Sequence, residues 1–425
     1  MKHATKKPPF AFPVPHDYHG CQFDLKAVRP LSETRKSTVA IAALLACYAL
    51  LTGFLMLRLH YSLLEPSQYD TYTRQAMAWR EGRASLQEDV PHLELAIYKG
   101  EYYVSFPPFP SVPIYFLTFV FGSRVPDALL SLAYGLASLL LLFRYLHRKG
   151  FPPFISAAWS FLLVCASSML PLVLTGAVWY QAQTLAFLLI VASLDRMDAG
   201  KPTLGLLLFA LSVGCRPLHA LYGPLLIFLY CRGHGAQQSA SGRLKKLLPG
   251  LALGLLVAAL YGLYNYARFG NALEFGHNHL PEFSIQGGSQ FSFSHLGRNI
   301  QQFFFSLPFQ RTPDGLEMNP FGFSLFLANP VLILLPAWAL ALAFQKALGR
   351  EHIAILVFFS LHLFLLLLHR TFGGYQYGAR YAVDLIPYAA LFLARKGRKT
   401  LTITEAAVML SGLALGIYGS LAVPL

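Results

Sequence analysis

The sequence predicts an all-α, polytopic integral membrane protein, and three observations support this prediction. Of the 425 residues, 55% are hydrophobic and only 13% are charged, whereas charged residues approach a quarter of an average soluble domain. Many apolar runs approach the roughly 20 residues that an α-helix needs to cross a bilayer. The formal net charge of +14 arises from Lys and Arg residues clustered in short loops between those runs, which is the positive-inside pattern. Nucleic acid is therefore not expected as a partner.

The apolar runs and basic loops together predict about 11 transmembrane helices. Residues 1–37 are interpreted as a cytoplasmic, disordered leader, because they are polar, basic and rich in proline. Residues 38–425 form the predicted membrane domain, which begins with a span at 38–59. The remaining predicted spans are 125–146, 154–174, 178–194, two short spans within 204–230 that meet at Arg216-Pro217, 247–264, 321–344, 353–368, 381–394 and 401–423.

Residues 109–121 form an apolar run that we do not predict to cross the membrane. The run has about 13 residues, fewer than a span requires. If it lies on the outer surface, the later basic loops stay in the cytoplasm; if it crosses, most of them fall on the wrong side. The sequence thus predicts two long outer loops, 60–124 with juxtamembrane helices and 266–319.

With this topology, unusual polar residues gather at the outer ends of the spans. A charged side chain within a membrane span costs about 2.5–3.5 kcal/mol on insertion scales, so charges that are retained there often mark function. We expect a site built from several outer loops. The candidate catalytic residues are Asp70 and Glu94, and the candidate substrate-binding residues are Arg216, Arg380, Arg268, Asn271, Glu274, His277, Tyr102 and Tyr103.

The two candidate carboxylates lie in the first outer loop. In "EPSQYDTYTRQ", Ser67 can cap a helix with Asp70 at the capping-box position, so Asp70 either serves as a general base or only satisfies a backbone donor. Glu94 leads into "YYVSFPPFP", whose prolines favour extended chain. Tyr102 and Tyr103 are rings of the kind found at headgroup level. The segment is either a clamp that holds the carboxylate-bearing loop against the bilayer, where a lipid-linked substrate would lie, or an aromatic anchor without chemistry.

A second polar tract, "YNYARFGNALEFGHNH", follows the span at 247–264. Arg268 can pair with a phosphate, or it can anchor the helix end by snorkelling. Asn271, Glu274 and His277 can orient sugar hydroxyls. A metal ion held by Glu274, His277 and His279 is conceivable, but this spacing is a weak signal. We expect no metal and no other cofactor.

The remaining arginines are candidates for binding a phosphate. Arg216 interrupts an apolar run, and Arg380 stands at the outer mouth of the span at 381–394 in "TFGGYQYGARYAVDLIP". A guanidinium can bind a phosphate through two parallel hydrogen bonds. The alternative for Arg380 is an i,i+4 ion pair with Asp384.

At these residues the chain resembles bacterial polytopic glycosyltransferases of the C-type superfamily. It is distantly similar to the dolichyl-phosphate-mannose protein mannosyltransferases and the lipid A aminoarabinose transferases. The resemblance rests on "AMAWREGR", "LELAIYKGEYYVSFPPFPSV", "YNYARFGNALEFG" and "GGYQYGARYAVDLIP". In such proteins an acidic residue of the first outer loop acts as base or positions the acceptor. Asp70 matches that position and is preferred to Glu94 as the base, but similar bacterial sequences often carry an aspartate where this chain has Glu94, so both carboxylates stay candidates.

The resemblance implies a function on the outer face of a bacterial inner membrane. The expected donor is a polyprenyl-phosphate sugar, the acceptor is a glycan, lipid or protein, and the transfer is inverting. Such a donor needs no nucleotide site, and the sequence contains no Walker or Rossmann motif. Two alternatives stay open: a polytopic transporter or lipid flippase, which would carry polar sites near the bilayer midplane, and a non-catalytic assembly subunit.

Overall fold

The structure is a computed structural model that describes residues 32–233, 238–313 and 315–424. Most of this part of the chain is helical, and it holds two short β-hairpins. The predicted all-α polytopic membrane fold is confirmed. The helices are α1 (Glu33–Leu59), α2 (Thr71–Arg80), α3 (Ser111–Phe121), α4 (Asp127–Arg148), α5 (Pro153–Cys165), α6 (Met169–Leu174), α7 (Val178–Asp198), α8 (Pro202–Val213), α9 (Gly223–Arg232), α10 (Ala240–Phe269), α11 (Pro281–Gln286), α12 (Leu296–Ile300), α13 (Leu325–Ala328), α14 (Val331–Phe344), α15 (Arg350–Leu368), α16 (Ile386–Leu393) and α17 (Ile403–Ala422).

Shorter elements connect these helices. The strands are β1 (Leu95–Tyr98), β2 (Glu101–Val104), β3 (Phe309–Thr312) and β4 (Gly315–Met318), and each consecutive pair is antiparallel. A π-helical turn, Gln301–Phe305, follows α12. Single 3₁₀ turns cover Pro91–Leu93, Pro217–Tyr222, His277–His279, Phe293–His295 and Arg380–Leu385.

Within the described residues, six helices are long and apolar enough to cross a membrane, namely α1, α4, α7, α10, α15 and α17. Each corresponds to one predicted span. The other predicted spans correspond to shorter or interrupted helices: α5 with α6, α8, α9, α13 with α14, and the 3₁₀ turn Arg380–Leu385 with α16. Prolines stand at several of these interruptions, for example Pro217 and Pro330, and a proline removes a backbone donor and opposes a continuous helix.

Helix α1 begins earlier than the sequence predicted. It begins at Glu33 rather than at residue 38, because the Ser32 hydroxyl accepts a 3.3 Å bond from the backbone N–H of Arg35 and so caps the helix. Residues 32–37 of the predicted leader therefore belong to the cap and first turn of this helix. The rest of the leader lies outside the described residues.

The bundle has two chemically different ends. One end carries residues 60–124 and 266–319, and we call it the loop end. Helix α4 begins there at Asp127, whose Oδ2 accepts a 3.2 Å bond from the N–H of Ser67. Helix α4 finishes beside Asp195, and we call that end the basic end. Its ion pairs join Asp195 to Arg144, Arg148 and Arg196, and Asp198 to Lys149 and Arg395.

The first long loop packs two short helices at the loop end. Helices α2 and α3 lie against each other, and the buried hydroxyl of Ser111 donates a 2.7 Å bond to Oε1 of Gln75. Helix α3 has 11 residues and is therefore about 16 Å long. The hydrocarbon core of a bilayer is about 30 Å thick, so α3 is too short to cross it.

The β1–β2 hairpin was not predicted from the sequence. Its turn residues Lys99 and Gly100 have φ angles of 53° and 81°, and two positive φ angles are typical of the type I′ turn that closes a tight hairpin. The register pairs Tyr98 with Glu101. Irregular chain begins only after Val104, and Glu94 lies immediately before β1.

Candidate active site

Two adjoining cavities open at the loop end. The first has a volume of about 330 Å³ and the second about 500 Å³. The first lies among α7, the break between α8 and α9, and residues 273–278; the second extends toward Glu94 and residues 371–375. Five residues line both and form their common wall: Phe106, Trp179, His277, Arg380 and Tyr381.

Arg380 is the buried cation of the common wall. The residue is 6% exposed, and its Nε has no hydrogen-bond partner among the described residues. Its guanidinium lies 5.7 Å from the ring centre of Tyr180 and 5.1 Å from that of Tyr381. The amide of Gln183 holds its backbone by donating a 2.9 Å bond to its carbonyl. A buried charge without a partner is unfavourable, so this site favours an anion.

Arg216 lines the first cavity together with Arg380; that the two bind a phosphate stays a prediction. The Arg216 guanidinium is 5.0 Å from the ring centre of Tyr381, the same ring that Arg380 contacts. Its Nε donates a 2.7 Å bond to Oδ2 of Asp384. The sequence alternative of an Arg380–Asp384 pair is wrong, because Asp384 pairs with Arg216 instead.

Glu94 lines the second cavity together with Arg380. Its backbone is left-handed, with φ 53° and ψ 57°, a conformation that costs a non-glycine residue about 1–3 kcal/mol. The Ser105 hydroxyl donates a 2.7 Å bond to its carbonyl, and Trp179 Nε1 donates a 2.9 Å bond to its Oε2. Desolvation raises the pKa of the carboxyl, while the Trp179 bond and the Arg380 charge lower it in part. The net pKa is above the usual value.

Asp70 lies outside both cavities. It is the N-cap residue of α2, but its carboxylate makes no capping bond; Oδ1 accepts a 2.7 Å bond from Nε of Arg74. The predicted capping box begun by Ser67 is therefore wrong. The Ser67 hydroxyl instead accepts a 3.1 Å bond from the N–H of Tyr69. Of the two candidate catalytic carboxylates, only Glu94 lines one of the two cavities; Glu274 and Glu282 are further carboxylates on their walls.

Arg268 stabilises the fold rather than lining a cavity. Its guanidinium is buried and donates 2.7 Å and 2.8 Å bonds to the carbonyl of Val104 and the side-chain oxygen of Asn265. These bonds tie the end of β2 to the end of α10. Tyr102 and Tyr103 belong to β2, and neither lines the two cavities. The aromatic residue of this segment that lines both cavities is Phe106, which follows shortly after β2.

Two of the candidate polar residues mainly shape the loop after α10. The side-chain oxygen of Asn271 accepts a 3.0 Å bond from the N–H of Leu273. Glu274 lines the first cavity, and its two oxygens accept 2.6 Å bonds from the N–H of Gly276 and the amide of Asn278. Both carboxylate oxygens of Glu274 therefore already have partners.

His277 lines both cavities, and its Nε2 is buried without a partner among the described residues. Burial and the neighbouring His369 lower its pKa to about 4, so the ring is neutral near pH 7. His279 packs instead on Phe269, with ring centres 5.2 Å apart. Within the described ranges, no three His, Cys, Asp or Glu side chains gather as metal ligands.

Sequence reasoning missed several residues of the site. Trp179 binds Glu94, and Tyr381 contacts both arginines. Tyr381 directly follows Arg380, and Trp179 stands at the first turn of a span on the predicted outer side. Aromatic residues at such positions are usual in membrane proteins. The sequence therefore does not distinguish Trp179 and Tyr381 from other aromatic residues, whereas their contacts in the structure do.

Comparison with solved structures finds chains of the same architecture. The chain matches the archaeal oligosaccharyltransferase AglB from Archaeoglobus fulgidus, in complex with an inhibitory peptide and a dolichol-phosphate, at 14% identity and a TM-score of 0.53, over 90% of this chain and 56% of that one. It matches ArnT from Cupriavidus metallidurans, bound to undecaprenyl phosphate, at 15% identity and a TM-score of 0.50, over 89% of this chain and 63% of that one.

Both of these proteins are C-type glycosyltransferases. The chain has the C-type fold. The relationship in fold that the sequence resemblance implied is thereby confirmed, and at 14–15% identity the likeness concerns the fold alone. The chain spans less than two thirds of the length of either protein. No protein-family profile and no curated protein matches the sequence.

Proposed function

We propose that this protein is a membrane glycosyltransferase that takes a sugar from a polyprenyl-phosphate donor. One observation carries the proposal: Arg380 is a buried cation that pairs with no described residue, in the common wall of two cavities, with Arg216 and Glu94 on the adjoining walls. An anion-binding group and a carboxylate in one connected space are what transfer from a lipid phosphate to a hydroxyl requires. The C-type fold agrees with this chemistry.

The proposed reaction is a single inverting displacement. The acceptor hydroxyl oxygen attacks the anomeric carbon of the donor sugar, and the bond from that carbon to the phosphate oxygen breaks. The bonding electron pair leaves with the polyprenyl phosphate, and the hydroxyl proton passes to a carboxylate, the general base. Cations fixed at the phosphate stabilise the charge that grows on the leaving group.

Arg380 and Arg216 are the proposed phosphate ligands. Both guanidiniums lie about 5 Å from the ring centre of Tyr381, and both residues line the first cavity. Asp384 fixes Arg216 through Nε, which leaves the two terminal nitrogens of the guanidinium for a phosphate. A guanidinium fork can bind two phosphate oxygens at once, whereas a lysine ammonium binds as a single point charge.

Glu94 is the proposed general base. It lines the cavity that also holds Arg380, and its raised pKa brings it closer to the pKa range that suits proton transfer near neutral pH. Asp70 is the alternative base that the family position implies. The neutral ring of His277, whose Nε2 has no partner among the described residues, is proposed to bind a hydroxyl of the sugar or the acceptor.

The proposed orientation puts the basic end in the cytoplasm and the loop end outside. Arg144, Arg148 and Arg395 all lie at the basic end, and the positive-inside rule assigns such an end to the cytoplasm. The catalytic cavities then open on the outer face of a bacterial inner membrane. The acceptor is a glycan, lipid or protein that is present on that side.

The proposal can be tested with purified protein in liposomes, a panel of polyprenyl-phosphate donors with radiolabelled sugars, and an envelope fraction as acceptor source. The expected result is sugar transfer that Arg380→Gln abolishes. Arg350→Gln, at an exposed arginine at the start of α15, is the control and should retain activity. Donor movement between leaflets without cleavage of the sugar–phosphate bond would instead identify a flippase.

A further inference from the structure

A third cavity lies beside the second and has no assigned role. Its volume is about 540 Å³, and it shares Phe283, Thr371 and Gly373 with the second cavity. Four of its other six lining residues are basic or polar, and no Asp or Glu is among the described residues that line it. The six residues are Gly287, His295, Arg298, Gln302, Arg370 and Phe372.

Arg370 is held in this cavity by backbone carbonyls. Its Nη2 donates a 2.9 Å bond to the carbonyl of Gly287 and a second bond to that of Gly288, and its guanidinium lies 4.7 Å from the ring centre of Phe283. Gly287 and Gly288 have φ angles of 66° and 85°, which residues with a Cβ rarely adopt. The two glycines therefore allow both carbonyls to bind one nitrogen, while Nε and Nη1 of Arg370 bind no described residue.

Arg298 brings a second positive charge to the same cavity. Its Nη2 donates to the carbonyl of Arg370, and its Nε donates a 3.4 Å bond to the side-chain oxygen of Asn299. Neither Arg298 nor Arg370 forms an ion pair within the described part of the chain. Two guanidiniums that line one cavity and are oriented only by neutral groups of the described residues would both be stabilised by a bound anion.

We propose that the third cavity binds an anionic group, a phosphate or a carboxylate, carried by the acceptor glycan. The inference rests on the proposed function, in which the donor phosphate occupies Arg380 and Arg216. An acceptor held at Arg298 and Arg370 would reach across Thr371 and Gly373 into the second cavity, where Glu94 lies. The third cavity would thus select charged acceptors over neutral ones.

The test measures binding to the full chain in nanodiscs of phosphatidylcholine. The probes are hexose 6-phosphate, hexuronic acid and the uncharged hexose, with undecaprenyl phosphate as the donor-site probe. We expect the two anionic sugars to bind better than the hexose, and Arg298→Gln to weaken them about tenfold, since a charge-assisted contact is lost. Arg311→Gln, at an exposed arginine of β3, is the matched control and should leave binding unchanged.

Two further variants separate this site from the donor site. Gly287→Ala should also weaken hexose 6-phosphate binding, because alanine disfavours the backbone that holds Arg370. Arg380→Gln should weaken undecaprenyl phosphate binding only. Equal binding of charged and neutral hexose, or no effect of Arg298→Gln, would overturn the inference and leave the proposed function intact. If undecaprenyl phosphate does not bind while Arg298 still governs hexose 6-phosphate, the proposed function fails and the anion site stands.

Nanodiscs of phosphatidylglycerol distinguish a soluble anionic sugar from a lipid headgroup. If the acceptor supplies the anion, the affinity for hexose 6-phosphate should fall only slightly in these nanodiscs, and Arg298 should still determine it. If phosphatidylglycerol abolishes binding in the wild type, and Arg298→Gln removes this competition, a lipid headgroup fills the cavity. That result would overturn the acceptor assignment.

Discussion

Nε of Arg216 donates a 2.7 Å hydrogen bond to Oδ2 of Asp384, which joins the break between α8 and α9 to the 3₁₀ turn before α16. The carboxylate is almost fully buried, and the arginine side chain is 22% exposed toward the first cavity. Asp384 therefore fixes one edge of the guanidinium while the other edge stays open. A fixed fork of this kind suits a phosphate better than a flexible ammonium does.

Arg216→Lys and Arg380→Lys should both impair donor use. Each variant keeps the charge but loses the planar fork, and we expect kcat/KM for the donor to fall about tenfold or more at either position. Initial rates at varied donor concentration provide the measurement, with Arg350→Lys as the control. Wild-type rates in both variants would show that the phosphate binds elsewhere.

Glu94→Gln should lower transfer by about 10²–10⁴-fold, the range that a general base typically contributes. The substitution removes the charge with little change in shape and leaves Arg380 in place. Asp70→Asn should retain most activity, because Asp70 pairs with Arg74 outside the cavities. Turnover assays on both variants, with donor binding measured in parallel, decide between the carboxylates. An inactive Asp70→Asn variant together with an active Glu94→Gln variant would identify Asp70 as the base.

The fall in activity on the acid side of the pH–rate profile, its acid limb, should follow the protonation of the Glu94 carboxylate. Its pKa is above the usual range because of desolvation, and the base works only when it is deprotonated, so activity should fall as the pH drops through that value. The Trp179 hydrogen bond lowers this pKa. Trp179→Phe removes the donor, raises the pKa and should move the limb to higher pH. A limb at the same pH in both proteins would exclude Glu94 as its source.

Residues 122–124 should lie outside the cell, because α3 is too short to cross the membrane. In a background without the native cysteines, Ser123→Cys should react with an impermeant maleimide in intact cells. Ser241→Cys, near the start of α10 at the basic end, is the control and should react only after permeabilisation. The opposite pattern would invert the proposed orientation.

The sequence predicted the fold and part of the site for a clear physical reason. Hydropathy and basic loops are local properties that the bilayer imposes on each helix, and they locate Arg216 and Arg380 at the same end of the bundle. The burial of Arg268 against Val104 depends instead on contacts between distant segments. The same holds for the ring of Tyr381 beside two guanidiniums, which no spacing rule predicts.

The β1–β2 hairpin before the proline segment was not predicted from the sequence for a different reason. Lys99-Gly100 between aromatic and aliphatic residues is a turn signal of moderate strength, and the neighbouring prolines masked it in the sequence analysis. The hairpin changes the interpretation of the site, because it positions Glu94 immediately before β1 with its carboxylate bound by Trp179. Asp70 matches the family position better, yet of these two carboxylates only Glu94 lines one of the described cavities.

A cryo-electron microscopy map of the protein in nanodiscs with undecaprenyl phosphate tests the central claim most directly. The account predicts that the phosphate lies within hydrogen-bonding distance of the Arg380 guanidinium, on the side that faces Arg216, and that the prenyl chain leads from the cavity into the bilayer. A phosphate bound at Arg298 and Arg370, or at the basic end of the bundle, would contradict it.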